Sequence, residues 1–197
     1  MVSQRKIEVN PNKIQAILSM EPPKNVKEVQ SLTGRVAALN RFASKATDKC
    51  LPFFRVLRKA FEWIDGCQWA FKDLKVYLTS TPLLSSSKLS EELYLYLAIS
   101  PYAVNSALIG EEWKVQKPVY YTSKALSWRM VPTNRKVSLL IGNRSRPYFQ
   151  AHVINVLTDH PFKKAMNKLE ATRRLIQWAV ELSEFDVRYH PREATKA

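Results

Sequence analysis

The side chains best placed to do chemistry in this chain are cations. Lys24, Lys27, Arg35, Arg41, Lys45 and Lys49 recur at near-helical spacing, and Lys163, Lys164, Lys168, Arg173 and Arg174 form a second cluster. The chain carries 31 Lys and Arg against 17 Asp and Glu, a net charge of +14. Such a balance favours polyanions, nucleic acid first among them, because each ammonium or guanidinium can displace a counterion from a phosphate. A solvated basic face accounts for the same charge, so composition alone leaves both readings open.

Other chemistries find little support. His152, His160 and His190 are scattered, with no Cys or Asp at ligand spacing, and read as surface or packing histidines. Cys50 and Cys67, the only cysteines, make neither a zinc site nor a disulfide framework and read as reduced, partly buried thiols. There is no Ser-His-Asp arrangement, no Gly-rich phosphate loop and no adjacent Asp pair. Trp63, Trp69, Trp113, Trp128 and Trp178 could stack on bases. Trp69 and Trp178 fall in amphipathic helices, where core or helix-edge packing is the expectation. The N-terminus leads into no apolar run, and no window holds the ~18 apolar residues of a membrane span. The expectation is a soluble intracellular protein, in cytoplasm or nucleus, with no membrane partner.

The elements that must carry these residues can be read from periodicity. Residues 5–9 suggest a short strand. Asn10-Pro11 reads as an N-cap with proline in the first turn, and Pro22-Pro23 as a stop. Asn25 and Glu28 form a capping box ahead of Val26, Val29, Leu32, Val36, Leu39 and Phe42, an apolar stripe at spacings of three and four. A third helix is expected over 48–58 with Leu51, Phe54 and Leu57 inward, and a fourth over 66–78. Thr79 to Ser90 reads as a Ser/Thr-rich loop and a boundary. Beyond it the period changes to two. Strands are expected over 93–100, 104–111, 115–122, 152–158 and 185–189, with a helix over 169–182. The fold class that follows is α+β: a small helical region over 1–80, then a mixed β-sheet with packed helices over 91–197.

Several stretches together resemble a known family. "IEVNPNKIQAI" from Ile7, "PPKNVKEVQSLTGRVAALNRF" from Pro22 and "FEWIDGCQWAFKDLKVYLTSTPLL" from Phe61 are similar, in order, to the thumb and connection segment of gypsy-class long-terminal-repeat retrotransposon reverse transcriptases. "KPVYYTSKAL" from Lys117, "RPYFQAH" from Arg146 and "VLTDHPF" from Val156 resemble the adjoining ribonuclease H-like domain. The series spans nearly the whole chain.

The resemblance implies cleavage of the RNA strand of an RNA–DNA hybrid by carboxylates holding two Mg²⁺ ions. Mg²⁺ demands oxygen ligands, so each acid of the family pattern can be sought in turn. Aligned through "SPYAVNSAL", the first falls on Ala98, which has no ligand atom. The second falls on Arg135, whose cation repels Mg²⁺. It lies in an irregular stretch, 127–145, of the kind a frameshift or small deletion leaves. The third matches Asp159 in Thr-Asp-His. The fourth belongs past Ala197. A single carboxylate cannot hold the pair of ions, so Asp159 reads as a strand-end residue rather than a ligand.

No bound cofactor is therefore expected, although the active family uses Mg²⁺. The polymerase motif Tyr-x-Asp-Asp is absent, and the family places it upstream of Met1. The expected function is an inactive nucleic-acid-binding or spacer module derived from a retrotransposon polyprotein. The alternatives are part of an active polymerase and hybrid endonuclease, or a pseudogene product without a selected role. In family thumb regions the first basic cluster lies along the template–primer duplex. The expected partners are an RNA–DNA hybrid or duplex, bound weakly and salt-sensitively, and other parts of a Pol polyprotein.

Overall fold

The computed structural model describes residues 2–3, 6–57, 61–80, 83–100, 102–125, 145–158 and 184–191. Two short strands, β1 (Val2–Ser3) and β2 (Lys6–Ile7), precede five helices: α1 (Pro11–Leu18), α2 (Val26–Ala38), α3 (Ala46–Lys49), α4 (Leu51–Val56) and α5 (Asp65–Thr79). Then follow β3 (Leu84–Ser85), β4 (Leu93–Ile99), β5 (Ala103–Glu112), β6 (Val115–Ala125), α6 (Arg146–Ala151), β7 (Ile154–Thr158) and β8 (Val187–Pro191).

Local chemistry sets the helix starts. The Asn10 side chain accepts the Asn12 N–H at 2.9 Å, with proline in the first turn of α1. At α2 the Asn25 side chain accepts the Glu28 N–H at 3.0 Å. The Glu28 carboxylate returns to the Lys24 N–H at 2.7 Å and to the Asn25 amide at 2.8 Å. The box thus closes one residue earlier than its usual form, and still satisfies donors that a helix start leaves open. Val29, Leu32, Val36 and Leu39 are buried, as their spacing predicts.

The helix expected over 48–58 is two. Pro52 lies at the start of α4 and has no N–H to continue the ladder from α3, so the chain breaks at Cys50. The inward face shifts by one residue with it: Phe53 and Val56 are buried, while Leu51, Phe54 and Leu57 are only half-buried. Phe53 stacks on Trp63 at a centroid distance of 5.8 Å, and Phe71 meets the same indole edge-on at 6.1 Å. With Ile17, Leu74 and Leu78 these rings form the first apolar core.

The Ser/Thr-rich stretch expected to be loop also contributes structure. Leu84 pairs with Ile7 and Ser85 with Lys6, closing a three-stranded sheet ordered β1-β2-β3. The main sheet runs β6-β5-β4-β7-β8. β4 pairs antiparallel with β5 and parallel with β7, and β8 is parallel to β7, so the sheet is mixed as expected. Leu93, Leu95 and Leu97 face the second core, with Val104, Leu108, Val119, Phe149, Ile154 and Val156. The expected helix over 169–182 lies outside the described residues. Among the described residues no helix is long and apolar enough to cross a membrane.

Candidate functional site

Ala98 lies on β4, half-buried, on the face opposite Leu95 and Leu97. Its cross-strand partner is Asn105 on β5, which in turn pairs with Ser123 on β6. Asn105 and Ser123 are each only 5% exposed. Directly opposed residues of antiparallel strands share a face, so Ala98, Asn105 and Ser123 form a row across the sheet.

A carboxylate reaches this row from the helical half of the chain. The Asn105 amide donates to Asp48 Oδ2 at 2.6 Å, and Ser100 Oγ lies 3.2 Å from Asp48 Oδ1. The Ser123 hydroxyl donates to Asn105 Oδ1 at 2.6 Å and accepts the Thr47 N–H at 2.8 Å. Both oxygens of Asp48 are therefore engaged. Among the described residues no three His, Cys, Asp or Glu side chains converge as metal ligands do. These residues by themselves do not fit the oxygen cage of a Mg²⁺ pair. Arg135 and Asp159 lie outside the described residues.

The described basic residues differ in their surroundings. Lys27 and Lys45 are exposed. Lys24 is exposed but paired with Glu21 at 2.9 Å, which raises the ammonium above its ordinary pKa and lowers the carboxyl. Arg35 donates to the Ala16 carbonyl, tying α2 to α1. Arg41 departs furthest from the expectation of a solvent- or phosphate-facing group. Its guanidinium lies 4.9 Å from the Phe42 ring centroid and 5.7 Å from that of Tyr120. Its Nε is buried with no hydrogen-bond partner among the described residues. The reason is the turn after α2, which lays this segment along the edge strand β6: the Tyr121 N–H donates to the Arg41 carbonyl at 3.0 Å. Lys163, Lys164, Arg173 and Arg174 lie outside the described residues.

Trp69 corrects a second expectation. It is 73% exposed on the outer face of α5, with the Lys72 ammonium 5.7 Å from its ring. Cys67, Phe71, Leu74 and Leu78 take the buried stripe, leaving Trp69 on the far side. Both cysteines are buried and free, and burial pushes the Cys50 thiol up to about 12. His152 Nδ1 lies 3.0 Å from the Glu91 carbonyl and His190 Nε2 lies 3.0 Å from Asn155 Oδ1, both in packing roles.

Sequence reasoning missed Asp48, Asn105 and Ser123. One signal was available. "AVNSALIG" places an amide inside an apolar strand, where Asn is disfavoured unless it finds a partner.

The fold defines a class: an α+β chain in which a five-stranded mixed sheet of RNase H-like order adjoins a helical segment. Residues 63–137 match the family model described as the RNase H-like domain found in reverse transcriptase. The chain is 24% identical over 200 residues to a retrovirus-related Pol polyprotein from transposon opus of Drosophila melanogaster, covering 91% of this chain and 20% of that one. It is 26% identical over 196 residues to the transposon Tf2-3 polyprotein of Schizosaccharomyces pombe, covering 92% of this chain and 15% of that one. Among solved structures, the foamy viral protease-reverse transcriptase dRH in complex with double-stranded DNA superposes with a TM-score of 0.71 at 16% identity, over 96% of this chain and 36% of that one. The foamy viral protease-reverse transcriptase in complex with RNA/DNA hybrid gives 0.71 at 16%, over 96% of this chain and 27% of that one. Residues 63–137 thus resemble the RNase H-like domain found in reverse transcriptase, and the curated proteins to which the chain is similar are retrotransposon Pol polyproteins. It spans a fifth or less of the length of those relatives.

Proposed function

We propose that this chain is a gypsy-class Pol segment that binds or spaces nucleic acid and has no nuclease chemistry of its own. One observation carries the reading. At Ala98 the β4 position assigned to the first acid has no ligand atom, and the nearby Asp48 carboxylate is already bound to Asn105 and Ser100. A pair of Mg²⁺ ions needs several free oxygens at that point. Arg135, and Asp159 as a lone acid, complete the reading from the sequence.

Two segments share the work, 1–80 as a thumb- and connection-like unit and 91–197 as the degenerate domain. The buried clusters support this division, one ending at Leu78 and the other starting at Leu93. The partner is duplex or RNA–DNA hybrid, of the kinds bound by the solved reverse transcriptases of this fold. Contact is through phosphates by Lys24, Lys27, Lys45, Lys163, Lys164, Arg173 and Arg174, hence weak and salt-sensitive. The protein acts in the cytoplasm or nucleus.

A second reading draws on length. Because the chain spans a fifth or less of its curated relatives, it can serve as one part of a larger polymerase and nuclease whose catalytic acids lie elsewhere.

Incubating the purified chain with an RNA–DNA hybrid in Mg²⁺ and in Mn²⁺ tests the first reading. Binding without cleavage is expected. Metal-dependent cleavage that Asp159→Asn abolishes overturns it.

A further inference from the structure

Two separate sets of contacts join the helical half of the chain to the sheet. The first completes an edge. β6 is the outer strand, paired on one side only with β5. Its outward-facing Tyr121 N–H donates to the Arg41 carbonyl at 3.0 Å, and its Ser123 carbonyl accepts from the Asn40 amide at 3.0 Å. The segment after α2 thus covers polar groups that an edge strand otherwise presents to solvent.

The second set is a ring that leaves α3 and returns to it. It starts at the Thr47 N–H, runs through the Ser123 hydroxyl to Asn105 Oδ1, crosses the Asn105 amide and ends on the Asp48 carboxylate. Its polarity admits one arrangement. A carboxylate only accepts, so the Asn105 NH₂ must face Asp48. That turns Oδ1 toward Ser123, whose hydroxyl must then donate, leaving its lone pairs to accept from Thr47. The Thr47 N–H is a first-turn donor with no partner inside its own helix, so the ring also caps α3. Asn105 and Ser123 are each only 5% exposed, so water is a poor substitute partner for either.

We propose that Thr47 and Asp48 on α3, with Asn105 and Ser123 on the sheet, form a latch. It makes the helical segment and the sheet one mechanical unit and keeps α3 seated over the Ala98 face. The latch holds whether or not the chain binds nucleic acid.

Native-state amide hydrogen exchange on the full chain, without nucleic acid, tests the proposal. Four amides are compared: Thr47 in the latch, Tyr121 in the edge contact that the latch holds in place, Leu32 in α2 and Leu95 in β4. Asn105→Ala is expected to raise exchange at Thr47 and Tyr121 by at least ~10-fold more than at Leu32 and Leu95, the mark of a local opening. An equal rise at all four overturns the latch, since the ring then adds only to global stability. No rise at Thr47 and Tyr121 also overturns it. Should Asn105→Ala fail to fold, Asp48→Asn keeps the side-chain shape while removing the charge that orients the ring. It reads out on the same four amides with the same criteria.

Discussion

The Asp48 carboxylate accepts the Asn105 side-chain amide at 2.6 Å, joining a four-residue helix to the second strand of the main sheet. The bond is charge-assisted and its donor is buried, so each partner depends on the other. Asn105→Ala strips a donor from Asp48 and an acceptor from Ser123. It should cost about 2 kcal/mol in urea unfolding. The double variant with Asp48→Ala should lose less than the two single costs summed, which a double-mutant cycle measures directly.

Among the candidate phosphate-binding residues, Lys27 and Arg41 should behave differently. Lys27→Glu is expected to weaken hybrid binding and flatten its salt dependence while leaving the melting temperature in place. Lys45 has a left-handed backbone at φ 52°, so Lys45→Asn removes its charge without adding strain. Arg41→Ala removes a cation lying over two rings and should lower stability by about 1 kcal/mol, with little change in binding by the folded protein. Fluorescence anisotropy with a labelled hybrid, run beside thermal melts, separates the two effects. Each phosphate contact made should add a roughly 3.5-fold loss of affinity over a fourfold rise in salt.

Alkaline pH should loosen the helical core. Burial raises the Cys50 thiol from its ordinary 9.0 to about 12. The folded state therefore holds its proton where the unfolded state has released it. The stabilisation is complete below pH 9 and is lost as pH climbs toward 12. The Tyr121 hydroxyl, also raised by burial, acts in the same direction. Urea midpoints measured from pH 8 upward should fall, and Cys50→Ala should make the fall shallower. Native Cys50 should also resist alkylation at pH ~8.5, because the thiolate is the reactive form.

Two tryptophans should report opposite environments. Trp63→Ala removes a ring stacked on Phe53 and met edge-on by Phe71, at a cost of about 3 kcal/mol. Trp69→Ala touches an exposed helix face and should change stability by no more than ~0.5 kcal/mol. In acrylamide quenching, Trp63→Ala should remove a shielded emission and Trp69→Ala an accessible one, with the 92%-exposed Trp113 left as the most quenchable of the described indoles in both.

Much of this fold is local, and local features are legible in a sequence. The Asn25–Glu28 box, the stripe from Val29 to Leu39 and the alternation through Leu93, Leu95 and Leu97 depend on neighbours within one turn or one strand. Their physics is periodicity and capping, and the structure keeps them. One short-range rule works against the apolar stripe: Pro52 divides the helix expected over 48–58, and Phe53 rather than Phe54 is buried.

Tertiary structure decided what the isolated patterns could not. Leu84 and Ser85 become a strand only because Lys6 and Ile7 come alongside. Arg41 looks like a phosphate ligand until β6 and Tyr120 enclose it. Asp48 is an ordinary helical acid, and Asn105 an awkward strand residue, until the chain brings them within a hydrogen bond. By itself the sequence determined the helix over Val26–Ala38, the strand over Leu93–Ile99 and that no acid stands at Ala98. The meeting of α3 with that same face needed the whole fold, because hydrogen bonds between distant residues leave no period in the chain that encodes them.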